Sequence, residues 1–525
     1  MFRVRPVLGG ATPVSTAART RALYRRSCGF RSRSWASRCC AVCRSARNDS
    51  RGLFQAPSPA RIDEIFKKLT APGSPGCTAG VYRGAKITAT AVSSQGVNDS
   101  ASAPTHRARI DIDTMSKVPH PRIVPLVPAL RRECDPQDLC GPCAADQRFL
   151  RNSGRPSPAR GMTIRSIDLF AGCGGMTLGL SEAARRHGMT FEPVLAVDSD
   201  EDVAAIYEEN FPHADVKSVD IGSLFDGEIG TSPTKAEKAL AETVGQVGIL
   251  QGGPPCQGHS DLNNHTRRRD PKNALYLKMA RAAEVLKPDA VIIENVAPVQ
   301  WDKSGVVQTT KAALEGIGYS VMGRVLNLQL AGVPQRRLRY VLVASRVETL
   351  NPAVVFSSIR EAWGEHQPRT VDWAIRDLDS LTGTSTFDTA SDRSRENAKR
   401  IAYLFTHGCY DLPNAERPDC HKDGQHSYGS VYGRLKWHRP AQTITTGFGS
   451  MGQGRYVHPQ RWRTITPHEA ARLQTFPDWF SFGSQTRRGV LARAIGNAVP
   501  PLLMVSLGGV VLSALAQRAA DRRRA

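Results

Sequence analysis

Three short stretches of this chain have the residue types and spacing for bond-making chemistry. The first is GGPPCQGHS, residues 252–260. Two prolines stiffen a loop and remove two N–H donors, so they fix where the following residue points. Cys256 comes directly after them, behind the apolar run 247–250. A thiol at the tip of a strand is a candidate nucleophile if its pKa is lowered. The same pair also suits a small hydrophobe in a tight turn. The second stretch, ENV (294–296), sets a carboxyl group and an amide at the end of the apolar run 290–293. The third, PQRRLRY (334–340), carries Arg337 and Arg339 at i, i+2 spacing, so both side chains can face one side of a strand. Arginines entering a strand beside a Cys–Glu pair suit a polar or anionic substrate.

A fourth stretch, DLFAGCGG (168–175), places a glycine-rich turn between a strand and a helix. Such glycines let backbone approach a ligand closely, and a helix N-terminus favours polar or negative groups. Many glycine turns serve packing only. Asp198 ends the next apolar run, 193–197, and can accept hydrogen bonds from ribose hydroxyls. Asp220, closing VKSVD, can do the same for an adenine amino group. The spacing departs from the GxGxxG dinucleotide fingerprint, so a nucleoside cofactor without a pyrophosphate fits better.

These residues need elements to hold them. Short apolar runs at 164–170, 193–197, 247–250, 290–293 and 340–344 alternate with helical patterns such as 202–210 and 276–286. Alternation of this kind predicts an α/β fold with a mainly parallel, doubly wound sheet, in which ligands sit beyond the carboxyl ends of the strands. The candidate residues fall at those ends. Between 346 and 455 the alternation fades into Ser, Thr, Gly, Asp and Asn, which predicts a smaller loop-rich domain. Helical pattern resumes at 465–476, with Thr466 as N-cap, Pro467 at N1 and Glu469 at N3. The chain thus divides into 1–161, a catalytic part 162–345, a second domain 346–455 and a C-terminal helical part 456–525.

The chain of 525 residues has a formal charge of +22, but 27 Lys+Arg against 10 Asp+Glu lie in residues 1–161. The rest holds 43 basic and 38 acidic residues, so total charge is weak evidence for a nucleic-acid partner. Residues 1–48 contain eleven arginines and no acidic residue. Three readings fit this low-complexity stretch: a disordered basic extension, a targeting segment, or translated upstream sequence outside the natural protein. The third is preferred, because Met162 immediately precedes the first clear strand. Only four of the twelve cysteines (Cys173, Cys256, Cys409, Cys420) follow Met162, which is no disulfide framework and fits a reducing cytosol. The longest apolar stretch, 502–516, is interrupted by Ser and Gly and predicts a packed helix rather than a membrane span. Neither Cys134, Cys140 and Cys143, which include one CxxC (140–143) with no second ligand pair at zinc-finger spacing, nor the irregularly spaced His407, Cys409, Cys420, His421 and His426 has zinc-site spacing.

Taken together the ordered motifs resemble the DNA (cytosine-5) methyltransferase family: DLFAGCGG, AVDSDEDVAAIYEENFP, GGPPCQ, ENV, PQRRLR, RTITPHEAARLQTFPD and GNAVPP. The resemblance spans about residues 162–505. It implies an S-adenosylmethionine-dependent, Rossmann-like methyltransferase domain with a small target-recognition domain, and no metal. Cys256 matches the thiolate that attacks C6 of a flipped-out cytosine. Glu294 matches the carboxyl group at N3 and the exocyclic amine, and Arg339, supported by Arg337, the basic pair near O2. Phe170, Gly172, Gly174, Asp198, Asp220, Ile221 and Asn497 match positions that line S-adenosylmethionine. Gln257 and Ser260 fall in the loop expected to close over the base, and Thr443 and Ile444 match a Thr–aliphatic pair near the flipped nucleotide. The implied protein is a monomeric, cytoplasmic bacterial enzyme on double-stranded DNA, paired with a restriction endonuclease or solitary. His259 stands for the usual Phe, Gly248 for a frequent Asp, and Asp198 for a more common Glu. A transfer-RNA relative is the near rival, and Gln257 argues for DNA because the RNA branch reads Cys-Phe-Thr there. A catalytically dead DNA reader is the rival from another class, and the intact Cys256, Glu294 and Arg339 argue against it. The fold alone would also admit a small-molecule methyltransferase, which has no use for the loop-rich domain.

Overall fold

A computed structural model describes residues 2–4, 78–83, 86–92, 142–255, 275–302, 304–363, 368–422, 431–483 and 486–524. The chain forms two units, Met1–His120 and Pro121–Ala525. In the first, β1 (Phe2–Val4) runs parallel to β2 (Thr78–Arg83), which pairs antiparallel with β3 (Lys86–Val92).

The second unit is built on a seven-stranded sheet. Its strands are β4 (Thr163–Leu169), β5 (Thr190–Asp198), β6 (Asp215–Ser218), β7 (Ile249–Gly252), β8 (Ala290–Val296), β9 (Ser320–Asn327) and β11 (Leu338–Ser345), while the two-residue β10 (Gln335–Arg336) lies outside it. Their order is β6-β5-β4-β7-β8-β11-β9. The first five run parallel, while β11 is antiparallel to both β8 and β9. From β4 the chain walks outward through β5 and β6, then returns past β4 to lay down β7 and β8. Its direction reverses between β4 and β7, and a crevice beyond the strand ends opens at such a switch point.

Alternation along the strands explains the two cores. Ile249, Ile292, Val341 and Val343 enter the core on one face, and Leu250, Ile293, Leu342 and Ala344 the core on the other. Helices α4 (Lys235–Val244), α5 (Leu275–Leu286) and α6 (Val306–Gly316) cover the second face, while α3 (Glu201–Asn210) packs on the first. On the first lie α2 (Gly175–Arg186) and the long α12 (Pro501–Arg524). They approach closely because glycines meet there: a Cβ on Gly179 would lie 2.3 Å from the Pro501 carbonyl oxygen. Among the described residues, Arg488–Arg524 is apolar enough to cross a membrane, but 67% of its apolar window is buried within the protein. Its apolar part, α12, is a core helix, as the glycines and serines of 502–516 predict.

Two boundaries differ from those read in the sequence. Helix α1 (Pro142–Arg151) lies in the expected extension, yet Leu150 is fully buried and Phe149 joins the first core. Asp146 pairs with Arg186 and Arg369, each at 2.7 Å, and the Leu150 carbonyl accepts from Asp478 N at 3.0 Å. The second unit therefore includes packed residues before Met162. At the other end of the catalytic part, α7 (Pro352–Trp363) and α8 (Val371–Ile375) were placed in the second domain by the boundary at 346. Phe356, Ile359, Trp363, Ala374 and Ile375 instead complete the first core. A separate small core is made by Ile401, Leu404, Leu412, Val431, Tyr432, Met451 and Val457 around α9 (Arg395–Thr406). Helix α10 (Pro467–Leu473) begins with the expected capping box of Thr466 and Glu469.

Candidate active site

The turn after β4 is shaped by left-handed backbone at Phe170 (φ 58°), Gly172 (φ 54°) and Gly174 (φ 91°). Gly172 faces open space, since an added Cβ would meet nothing within 4 Å. Its N–H donates to Asp198 Oδ2 at 2.8 Å, and Asp200 N donates to Asp198 Oδ1 at 2.9 Å. Burial raises the Asp198 carboxyl above its ordinary value, and these backbone donors oppose the rise. Gly174 faces the other way. A Cβ there would lie 2.6 Å from the Phe211 ring, so its glycine serves packing. On the neighbouring strand end Asp220 is exposed and caps a short 3-10 turn through Gly222 N at 2.7 Å, with Ile221 buried behind it. A half-exposed aromatic, an open glycine face and two acceptor carboxylates fit a nucleoside-bearing cofactor.

Beneath this turn lies a polar group at the head of the glycine-rich motif, to which the sequence assigns no role. Asp168 is fully buried and accepts from Thr177 Oγ1 at 2.7 Å and from Gln251 Nε2 at 3.2 Å. Burial pushes its carboxyl up to about 7. Cys173, the thiol within the turn, is buried too; its Sγ donates to the Ala494 carbonyl at 3.3 Å and its pKa is pushed up to about 12. It is a structural thiol.

The opposite wall comes from β7, β8 and β11. Gly253 follows β7, and a Cβ there would lie 3.6 Å from Glu294 Oε2 and 3.7 Å from Val499 Cγ2. Glu294 is 7% exposed and pairs with Arg339 Nε at 2.8 Å. The antiparallel register places Arg339 opposite Val296, two residues from Glu294 and on the same face. Burial raises the Glu294 carboxyl, and Arg339 and Arg337 only partly offset that. Asn295 donates from Nδ2 to the Pro254 carbonyl at 3.2 Å, fastening the two-proline stem to β8. Cys256, Gln257, His259 and Ser260, which follow that stem, lie outside the described residues.

Arg337 turns out to be engaged by backbone. Its Nη1 donates to the Ile444 carbonyl at 2.9 Å and its Nη2 to the Ala498 carbonyl at 3.1 Å. Thr443 is half-buried and donates to the Arg336 carbonyl at 2.6 Å, whereas Ile444 is wholly buried in the first core. The backbone of Ile444, not its side chain, is what reaches the site. Asn497 is exposed at the end of α11 (Arg488–Asn497), a helix tied to the Asp198 side by an Arg493–Asp200 ion pair of 2.7 Å. Among the described residues no group of three or more His, Cys, Asp or Glu side chains is arranged to hold a metal.

A family model described as C-5 cytosine-specific DNA methylase matches residues 164–513. The chain belongs to that family. It is a DNA (cytosine-5) methyltransferase and takes its methyl group from S-adenosylmethionine. Type II methyltransferase M1.BsuMI of Bacillus subtilis (strain 168) is 45% identical over 361 residues, covering 68% of this chain and 83% of that protein. Type II methylase M.HgiDII of Herpetosiphon aurantiacus is 30% identical over 373 residues, 66% of this chain and 94% of its own. Among solved structures, the S. pombe Dnmt2 methyltransferase aligns over 67% of this methyltransferase and 99% of its own chain, with 18% identity and a TM-score of 0.46. The family match starts beyond α1, so the helix that packs under this methyltransferase lies outside the shared motifs.

Proposed function

We propose that this methyltransferase modifies C5 of a flipped-out cytosine within a defined sequence of double-stranded DNA, through a covalent bond between Cys256 Sγ and C6. The observation that carries the reading is the buried Glu294–Arg339 pair, set against Gly253 at the foot of the stem that leads to Cys256. C5 of cytosine is a poor nucleophile. When the Cys256 thiolate adds to C6, the C5–C6 electron pair makes C5 an enamine carbon, provided N3 holds a proton. A Glu294 carboxyl raised by burial can hold or share that proton, and it can accept from the exocyclic amine. Arg339 steadies negative charge developing at O2. S-adenosylmethionine supplies the methyl group as an electrophilic carbon. Loss of the C5 proton to a base then restores the ring double bond and expels the thiolate.

Phe170, Gly172, Asp198, Asp220, Ile221 and Asn497 hold the cofactor in this reading, with Asp198 accepting from ribose hydroxyls. Gly174 supports the turn from behind. The target base cannot be reached inside a duplex, so it is flipped. Gln257 and Ser260 meet it from the loop after the stem, and the segment carrying Thr443 and Ile444 meets it from the other side. The region around α9 reads the sequence. In the cell the protein would act as a cytoplasmic monomer on bacterial DNA, beside a nuclease of the same specificity or as a solitary modification enzyme.

The test expresses the full chain in cells without cytosine methylation and maps 5-methylcytosine by bisulfite sequencing. Wild-type protein should mark one short recurrent motif, Cys256→Ser none, and Glu294→Gln less than about 1% of the wild-type rate in vitro. Methylation that survives Cys256→Ser, or that appears in transfer RNA and not in DNA, would overturn the proposal.

A further inference from the structure

Under the site runs a closed ring of hydrogen bonds whose two glutamines the methyl-transfer chemistry does not use. Gln335 Oε1 accepts from Ile444 N at 3.0 Å, and its Nε2 donates to Gln474 Oε1 at 2.8 Å and to the Leu473 carbonyl at 2.9 Å. Gln474 Nε2 donates onward to the carbonyls of Ile495 (2.6 Å) and Ala498 (3.4 Å). Arg337, bonded to the carbonyls of both Ile444 and Ala498, closes the ring. Gln335 and Gln474 are wholly buried. One end of the ring is the residue after Thr443. The other is the residue after Asn497. The two arms also touch directly, since a Cβ on Gly496 would lie 2.3 Å from Thr446 N. Two residues beyond Arg337, on β11, Arg339 holds Glu294.

We propose that Gln335 is a positioning residue that couples engagement of target DNA by the 443–446 segment to the hold on the cofactor at Asn497, an inference that rests on the function proposed above. Gln335 must donate and accept at once, which only an amide of this length does here. In a buried, low-dielectric setting an unmade bond is costly, so a shift of Ile444 is passed to Ala498 rather than absorbed. Target DNA and cofactor must then raise each other's affinity by one common factor.

The experiment titrates S-adenosylhomocysteine into the full chain with a duplex carrying the mapped motif, and again with a scrambled duplex. For wild-type protein the target should tighten binding by about 5-fold or more. In Gln335→Met the ratio should fall to near one. Gln474→Met, a cut in the same ring, should do likewise and serves if the first variant does not fold. Leu328→Ala, a buried cut in the same core but outside the ring, should lower the melting temperature and leave the ratio intact. An unchanged ratio in a folded ring variant overturns the coupling, as does an equal loss in Leu328→Ala. If wild-type protein methylates no DNA, the function itself fails; if it methylates and the ratio survives, only this inference does.

Discussion

His458 and His468 are ten residues apart and their pKa values are pushed in opposite directions. His458 is wholly buried, and its Nδ1 accepts from Gln460 N at 3.1 Å and Arg461 N at 2.8 Å. A proton on Nδ1 would evict both donors, and burial pushes the ring down to about 4. Stability from the neutral ring is therefore complete above the ordinary value near 6.5 and is lost as pH falls toward 4, by up to about 3 kcal/mol. For His468, burial also works against the charged ring, but Asp478 (3.1 Å) and Asp388 (2.9 Å) outweigh it and raise the pKa. Its contribution is complete below the ordinary value and lost as pH rises through the raised one. Melting temperature against pH should show this: His458→Asn flattens the acid side of the wild-type curve, His468→Asn the alkaline side. A His458→Asn curve parallel to wild type between pH 6.5 and 4 would count against the first assignment. Neither shift is legible in the residue itself, because each depends on partners brought in by folding.

Helix α1 shows what a short element can hide. Within Pro142–Arg151 the only large apolar residues are Phe149 and Leu150, too few for an amphipathic period. Its anchorage comes from far away: Arg186, Arg369, Asp377 and the 478–479 backbone. Leu150→Ala should cost about 2–5 kcal/mol in urea unfolding, as a cavity in a packed core does. A chain starting at Met162 would also take Asp146 from Arg369, leaving that buried guanidinium without its carboxylate, and would leave Arg186 with Glu182 alone, so it should melt well below a chain starting at Pro121. Equal melting temperatures would mean that α1 is not part of the cooperative unit. The strands and capped helices, by contrast, follow from local chemistry. β7 and β8 hold short apolar runs closed by polar residues or glycine, β4 mixes apolar and polar residues ahead of the glycine turn, and α10 carries its capping box in four consecutive letters.

At the scale of the molecule, the small core around α9 is separate from the two cores of the sheet. Leu404→Ala within it should speed hydrogen exchange in α9 and residues 431–457 while β4, β7 and β8 keep their protection. Loss of protection throughout the sheet would show one cooperative unit. Target choice belongs to this region in the proposed function, so the same variant should weaken DNA binding more than cofactor binding. Sequence by itself determined the strand ends, the glycine turn, the proline stem and the chemical groups, because a strand period, a cap or a turn is encoded within a few residues. The tertiary structure decided which of those groups meet. It ran β11 antiparallel beside β8, so that Arg339 reaches Glu294, and it turned Arg337 onto Ile444 and Ala498, more than a hundred residues away. It also buried Ile444, which a motif match alone would have set against the DNA. Such contacts join segments distant in the chain, and their energy comes from burial and pairing that no local window of sequence contains.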